Sequence, residues 1–189
     1  MVLATLAAAT VLGRSDYVTV TQPSAAMEST VRVGERIVFN KKLSPSRGDV
    51  VLVHLVHNGR EFDSVLRVVA LPGDTVGCPA DPGGRCEAVV VNGTPVPQQY
   101  LGATDPFPRS TVPVHMIFLL GDNRPVANDS RAMGPVSITD VAGVAVRIVD
   151  RDGRARVVPG APGHGGPGDR DNVDPAGPVP PAAVTEPVR

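Results

Sequence analysis

The side chains able to move protons or attack carbon are few and poorly placed. Lys41 and Lys42 are the only lysines, side by side at the end of a strand-like run. A lysine base has to be desolvated to be neutral near pH 7, so this adjacent pair reads as a solvated one. His54 and His57 lie on or just after another strand-like run, and His115 precedes a third; all three read as strand-end or surface residues. Ser24 has a hydroxyl but no base beside it, which makes it a donor rather than a nucleophile, or the partner of a turn amide. Cys78 and Cys86 would close a small loop as a disulfide, implying an oxidising, extracytoplasmic setting. Two free thiols in a surface loop are the alternative. With no His or second Cys pair nearby, a zinc site is not expected, and nothing else points to a cofactor. The densest polar run is Gly121 to Val136, GDNRPVANDSRAMGPV. It holds Asp122, Asn123, Arg124, Asp129, Ser130 and Arg131, and an ion pair from Asp129 to Arg131 or Arg124 is the natural expectation.

These residues need a scaffold, and the composition describes one. The chain has 189 residues, formal charge −1 and 3% aromatic residues, with no tryptophan. The length suits one domain with a core of Val, Leu, Ile and Ala, and the charge offers no field for nucleic acid or an anionic membrane. Tyr17–Thr21, Arg36–Asn40, Val50–His54, Ser64–Val69, Ala88–Val91, His115–Leu120 and Val141–Val149 are β-branched or alternating runs, expected to be strands. Asn92-Gly93 is a tight-hairpin signal. Pro72-Gly73-Asp74 and Gly121-Asp122-Asn123 mark turns, and only Ser137–Val141 suggests a helical turn. Residues 15–157 therefore read as a mainly β domain of short antiparallel strands.

Both ends differ from this. Val2 to Leu12 is apolar and would span about 17 Å as a helix, too short for a hydrocarbon core of about 30 Å. It reads as the remnant or C-terminal half of a membrane anchor that starts upstream, with residues 2–12 meeting the membrane surface, as the apolar region of a signal peptide lacking its basic leader, or as a helix packed on the domain. Residues 158–189 contain 8 Pro and 6 Gly with few large apolar side chains. That composition cannot offset ordering entropy, so a disordered tail is expected.

Four segments in order resemble bacterial signal peptidase I. Pro23 to Lys42, PSAAMESTVRVGERIVFNKK, is similar to the family's P-S-G-S-M-x-P-T-L-x-x-G-D-x-V. Arg47-Gly48-Asp49-Val50-Val51 matches its R-G-D-V-V. Arg67 to Asp74, RVVALPGD, matches K-R-V-I-G-L-P-G-D from the second letter. Gly121 to Val136 matches G-D-N-R-x-x-S-x-D-S-R-x-x-G-x-V. Any one alone is weak, RGDVV especially; four in order are specific. The resemblance implies the family's complex β fold, with a small hairpin and disulfide insertion, and a serine–lysine dyad that cleaves signal peptides from exported preproteins.

The dyad itself is missing. The serine before the methionine is Ala26, the lysine before the arginine is Leu66, and the serine that orients the lysine amine is Ala127. A buried lysine or hydroxyl without its partners is costly, so apolar replacement of all three is self-consistent. By the same resemblance Ser24 would help bind an oxyanion, and Met27, Val31 and Val65 would line the shallow pocket for small residues. The polar run and Arg67 would hold the loops together. Ser29 stands for the box's proline, Glu35 for an aspartate and Ala70 for a glycine. The expected protein is an inactive relative on the outer face of a bacterial membrane, binding exported preproteins or signal peptides or assisting an active paralogue. The competing expectations are an active signal peptidase of unusual chemistry, and a structural partner tethered by its tail. Repressor autopeptidases share the architecture but need the same dyad, and no DNA-binding segment is present.

Overall fold

The computed structural model describes residues 15–57, 59–96 and 103–160. Residues 2–12 and the tail from 161 onward lie outside them. The strands are β1 Tyr17–Thr21, β2 Arg36–Asn40, β3 Val50–His57, β4 Arg60–Ala70, β5 Thr75–Cys78, β6 Val90–Val91, β7 Thr94–Pro95, β8 Phe107–Thr111, β9 Met116–Leu120, β10 Val136–Ser137, β11 Val141–Val149 and β12 Ala155–Arg156. A larger sheet runs β1-β2-β11-β3-β4-β9-β10, with β12 added to β11, and a smaller one runs β7-β6-β5-β8. All pairings are antiparallel. The architecture is mainly β, as the alternating runs imply. Among the described residues no helix is long and apolar enough to cross a membrane.

The β3–β4 hairpin is the spine. Its register pairs Val50 with Arg67, Val51 with Leu66 and Leu52 with Val65. Because side chains alternate across a strand, Val65 and Arg67 face one side of the sheet and Leu66 and Val68 the other. Val65 joins Met27, Val31, Ile37, Phe39, Val50, Leu52, Ala145 and Ile148 in one buried cluster. Leu66 joins Val51, Val53, Leu55, Val68, Ile117, Leu119, Val136 and Val144 in another. Each fully buried aliphatic side chain contributes about 1.5–3 kcal/mol over leaving it exposed. A register shift between Val68 and Ala70 turns the end of β4 toward the smaller sheet. There Val76, Val91, Phe118 and Leu120 pack with both cysteines.

Cys78 and Cys86 are disulfide-bonded, which removes the free-thiol alternative. Asn92 and Gly93 have φ of 50° and 82°, the two left-handed residues that a type I′ hairpin requires. In the Pro72-Gly73-Asp74 turn, burial disfavours the charged form of Asp74. Hydrogen bonds from the Leu71 N–H, Arg47 and Asn92 outweigh it and hold the carboxyl below its ordinary value. The helical turn expected at Ser137–Val141 is a 3-10 turn, Ile138–Asp140. The one α-helix among the described residues, α1 Ser130–Met133, is capped by Asp129 and was not anticipated. The tail boundary also moves, since Val158 packs on the domain and Pro159 is hydrogen-bonded to it.

Candidate functional site

Between β1 and β2 the chain makes a 3-10 turn, Ala25–Met27. Ser24 caps it, its Oγ accepting a long 3.5 Å hydrogen bond from the Ala26 N–H. Short hydroxyl residues suit this place because they satisfy an orphan amide. The Gln22 side-chain amide donates to the Ser24 carbonyl at 2.8 Å, and the Met27 carbonyl accepts from the Thr30 and Val31 amides. Ser24 is thus occupied at the turn, and among the described residues no basic side chain is hydrogen-bonded to it.

The Ala26 carbonyl leaves the turn and accepts from the Asn123 N–H at 2.9 Å, tying the first box to the fourth. Gly121 explains how closely they approach. A β-carbon there would overlap that of Ala127 and lie 2.8 Å from the Ala26 oxygen. β4 and β9 pair Arg67 with Leu120 and Val68 with Leu119; extending that register by one residue sets Leu66 opposite Gly121. The three positions from three separate boxes therefore gather around one glycine. Ala26 and Ala127 are partly buried there, and Leu66 is wholly buried among aliphatic side chains. Two methyls and an isobutyl group can neither give nor take a proton.

The polar residues around this apolar centre are densely bonded. Arg67 and Asp122, 4% and 1% exposed, form a fork with Nε–Oδ1 and Nη2–Oδ2 distances of 2.8 and 2.6 Å. The Thr30 hydroxyl donates to Asp122, and Arg67 also donates to the Gly48 carbonyl at 2.7 Å. Asp129 accepts from the Gly121 N–H at 3.0 Å and is gripped by Arg131 at 2.8 Å, one of the two pairings expected for it. Arg131 also reaches the Arg124 carbonyl at 2.7 Å. Arg124 donates instead to the Gly121 carbonyl and to the Thr104 hydroxyl. Thr104 bridges to Cys86, so the disulfide loop is joined to the box. The Ser130 hydroxyl accepts from the Leu119 amide at 2.9 Å. Asn123 enters through its backbone. Thr30 and Thr104 were not singled out from sequence, although Thr30 occupies the threonine of the first box, and Gly121 was read only as a turn residue opening the fourth.

Met27 and Val31 expose none of their surface and Val65 only 5%. They share one cluster but form its packed interior, so as seen here they act as floor rather than open pocket. A cleft of about 300 Å³ does open beside Ala127, lined also by Phe107, Arg124, Asp129 and Arg131. The surface groups behave as solvated ones. Lys42 pairs with Asp16 at 2.8 Å. The exposed His54 ring has its pKa raised by its hydrogen bond to Asp63.

Ser29 marks a rebuilt backbone. Its φ is +73°, whereas proline, the residue of the family's box at this place, is confined near −65°. Ser29→Pro is therefore expected to destabilise the protein by more than about 1 kcal/mol. Ser29→Gly should stay within about 1 kcal/mol of the parent, since glycine accepts this conformation freely. Urea melts of the two variants check this, and a neutral Ser29→Pro would mean the turn relaxes to the family's conformation.

Comparison with known proteins identifies the family. The family described as "Signal peptidase, peptidase S26" matches residues 1–149. Signal peptidase I of Mycobacterium tuberculosis is 30% identical over 197 residues, covering 76% of this chain and 65% of its own. Signal peptidase I of Bacillus amyloliquefaciens is 33% identical over 137 residues, 64% of this chain and 69% of its own. A crystal structure of a signal peptidase I from Enterococcus faecalis aligns with a TM-score of 0.44 at 30% identity, over 54% of this chain and 97% of that one. The chain thus spans about two thirds of the mycobacterial protein's length. With a family match running through the domain and all four boxes, this chain belongs to the signal peptidase family, peptidase S26.

Proposed function

We propose that this protein has given up peptide-bond hydrolysis and binds exported peptides, signal peptides first among them, on the outer face of the membrane. The reading is supported by Ala26 and Ala127 flanking Gly121, with Leu66 set opposite it by continuing the β4–β9 register, at the places where the family has its nucleophile, orienting serine and base. Loss at one corner alone would leave a lysine or a hydroxyl without a partner, which burial penalises. Loss at all three leaves a packed centre inside an intact polar frame, and such a frame serves shape. Binding itself has a physical route. β1 leads into the turn, lies at the end of the larger sheet and packs Val18 and Val20 on the cluster of Met27, Val31 and Val65, so an extended peptide can add to its outer edge through main-chain hydrogen bonds with its side chains over that cluster. A helper role beside an active signal peptidase would use the same edge.

The test incubates the purified full-length protein with a preprotein and, separately, with a fluorescein-labelled signal peptide. The expected result is saturable binding with no cleavage above a buffer control. Specific cleavage abolished by Ser24→Ala would replace this reading with an active peptidase of unusual chemistry. Cleavage that survives Ser24→Ala and repurification would also overturn it.

A further inference from the structure

Beyond β12 the chain does not leave the domain at once. Arg156 pairs with Glu35 at 2.6 Å. Val158, partly buried, packs against the cluster that contains Met27, Val31 and Val65. The Pro159 carbonyl accepts from Arg67 Nη1 at 2.7 Å. Three anchors within four residues lay an extended strap against that cluster and onto the arginine of the polar frame. The residues involved, Val157-Val158-Pro159-Gly160, are themselves a short peptide with modest side chains.

Two of the three anchors are of a weak kind, and the third is a single hydrogen bond from Arg67 to the exposed Pro159. The Arg156 side chain is 40% exposed, and charge pairs that open to water are screened. Val158 is only partly covered, and Pro159 and Gly160 are exposed. β12 is two residues long and pairs only with Ile148 and Val149 of β11. Segments with few buried apolar contacts and exposed backbone bonds open at a fraction of the cost of global unfolding. Val158 therefore covers part of the cluster that contains Met27, Val31 and Val65, and can leave it at modest cost.

We propose that residues 155–160 are an intramolecular cover that an exported peptide must displace before it can reach the Met27–Val31–Val65 floor. This rests on the peptide-binding reading above. A cover closed about nine-tenths of the time weakens apparent affinity about tenfold, because only the open fraction binds. The same segment, when closed, keeps water from a large apolar cluster, which gives a protein without a reaction a reason to retain it.

Two measurements on the full chain test this. In the first, the Val158 methyl resonances are followed by NMR while a synthetic signal peptide is added. In the second, the same peptide is titrated into the parent and into an Arg156→Ala/Val158→Gly double variant whose fold is confirmed by circular dichroism. The expected result is that the Val158 signals move toward those of an unstructured valine as peptide binds, and that the variant binds about tenfold tighter. Peptide binding with the Val158 signals unmoved and the variant's affinity unchanged overturns the cover while leaving the peptide-binding reading intact. If neither chain binds the peptide, both fall together.

Discussion

Lysine introduced at position 66 is expected to lower the stability of the protein by about 5 kcal/mol at pH 7. Leu66 exposes none of its surface and is packed by Val51, Val53 and Leu119. An ammonium group there would be forced neutral, with a folded pKa near 6 against about 10.4 in the unfolded chain. The roughly 3.4 units between 10.4 and 7, at about 1.36 kcal/mol each, set the size of the effect. The sign follows from the unfolded state binding the extra proton. The penalty is absent above about pH 10.4, grows by about 1.4 kcal/mol per unit as pH falls, and levels off below the folded pKa. Denaturant melts of Leu66→Lys and parent between pH 6 and 10 measure it. A pH-independent difference would mean that the amine reaches water past Ala26. Adding Ala26→Ser and Ala127→Ser should return about 1–2 kcal/mol, because each hydroxyl offers the amine a hydrogen bond. That partial rescue would show that the three positions still face one another closely enough to rebuild a site.

Much of this was legible before any coordinates, for identifiable reasons. β1, β2 and β11 fall where the alternation placed them, since each has a run of β-branched residues with one face to bury. β8, Phe107–Thr111, did not announce itself. Pro108 and Arg109 interrupt any pattern, most of the strand is exposed, and it exists because β5 pairs with it. β7, β10 and β12 are two residues long, below the reach of any periodicity. At the site, the boxes located Ala26, Leu66 and Ala127 in the chain but carried no distance between them. Their meeting depends on β9 ending at a glycine beneath the Ala25–Met27 turn. The strap escaped for a different reason. A Pro- and Gly-rich composition speaks against burying side chains, and it is silent about a main-chain carbonyl captured by a buried arginine such as Arg67.

Asp122→Ala should cost about 3–5 kcal/mol, because it leaves a buried guanidinium without its carboxylate. Arg67 would keep its bonds to the Gly48 and Pro159 carbonyls and to the Thr30 hydroxyl, but lose the two-bond fork to Asp122. Thr30, whose hydroxyl donates to Asp122, would lose its acceptor just after the turn that holds Ala26 and Met27. The double replacement Arg67→Met/Asp122→Leu removes both charges and keeps much of the volume, so it is expected to recover most of that loss. Thermal and urea melts of the parent, Arg67→Met, Asp122→Leu and the double variant close the cycle and yield the coupling directly. A loss below about 1 kcal/mol for Asp122→Ala would mean water enters the frame, and the account of a sealed polar centre would fail. The double variant carries a further consequence for function. Arg67 anchors the strap as well as the frame, so a folded Arg67→Met/Asp122→Leu protein should release the segment around Pro159. If charge at this place were retained for chemistry, removing it would abolish whatever the protein does. If it is retained for shape and for holding the strap, the double variant should still bind peptide, and bind it more tightly than the parent.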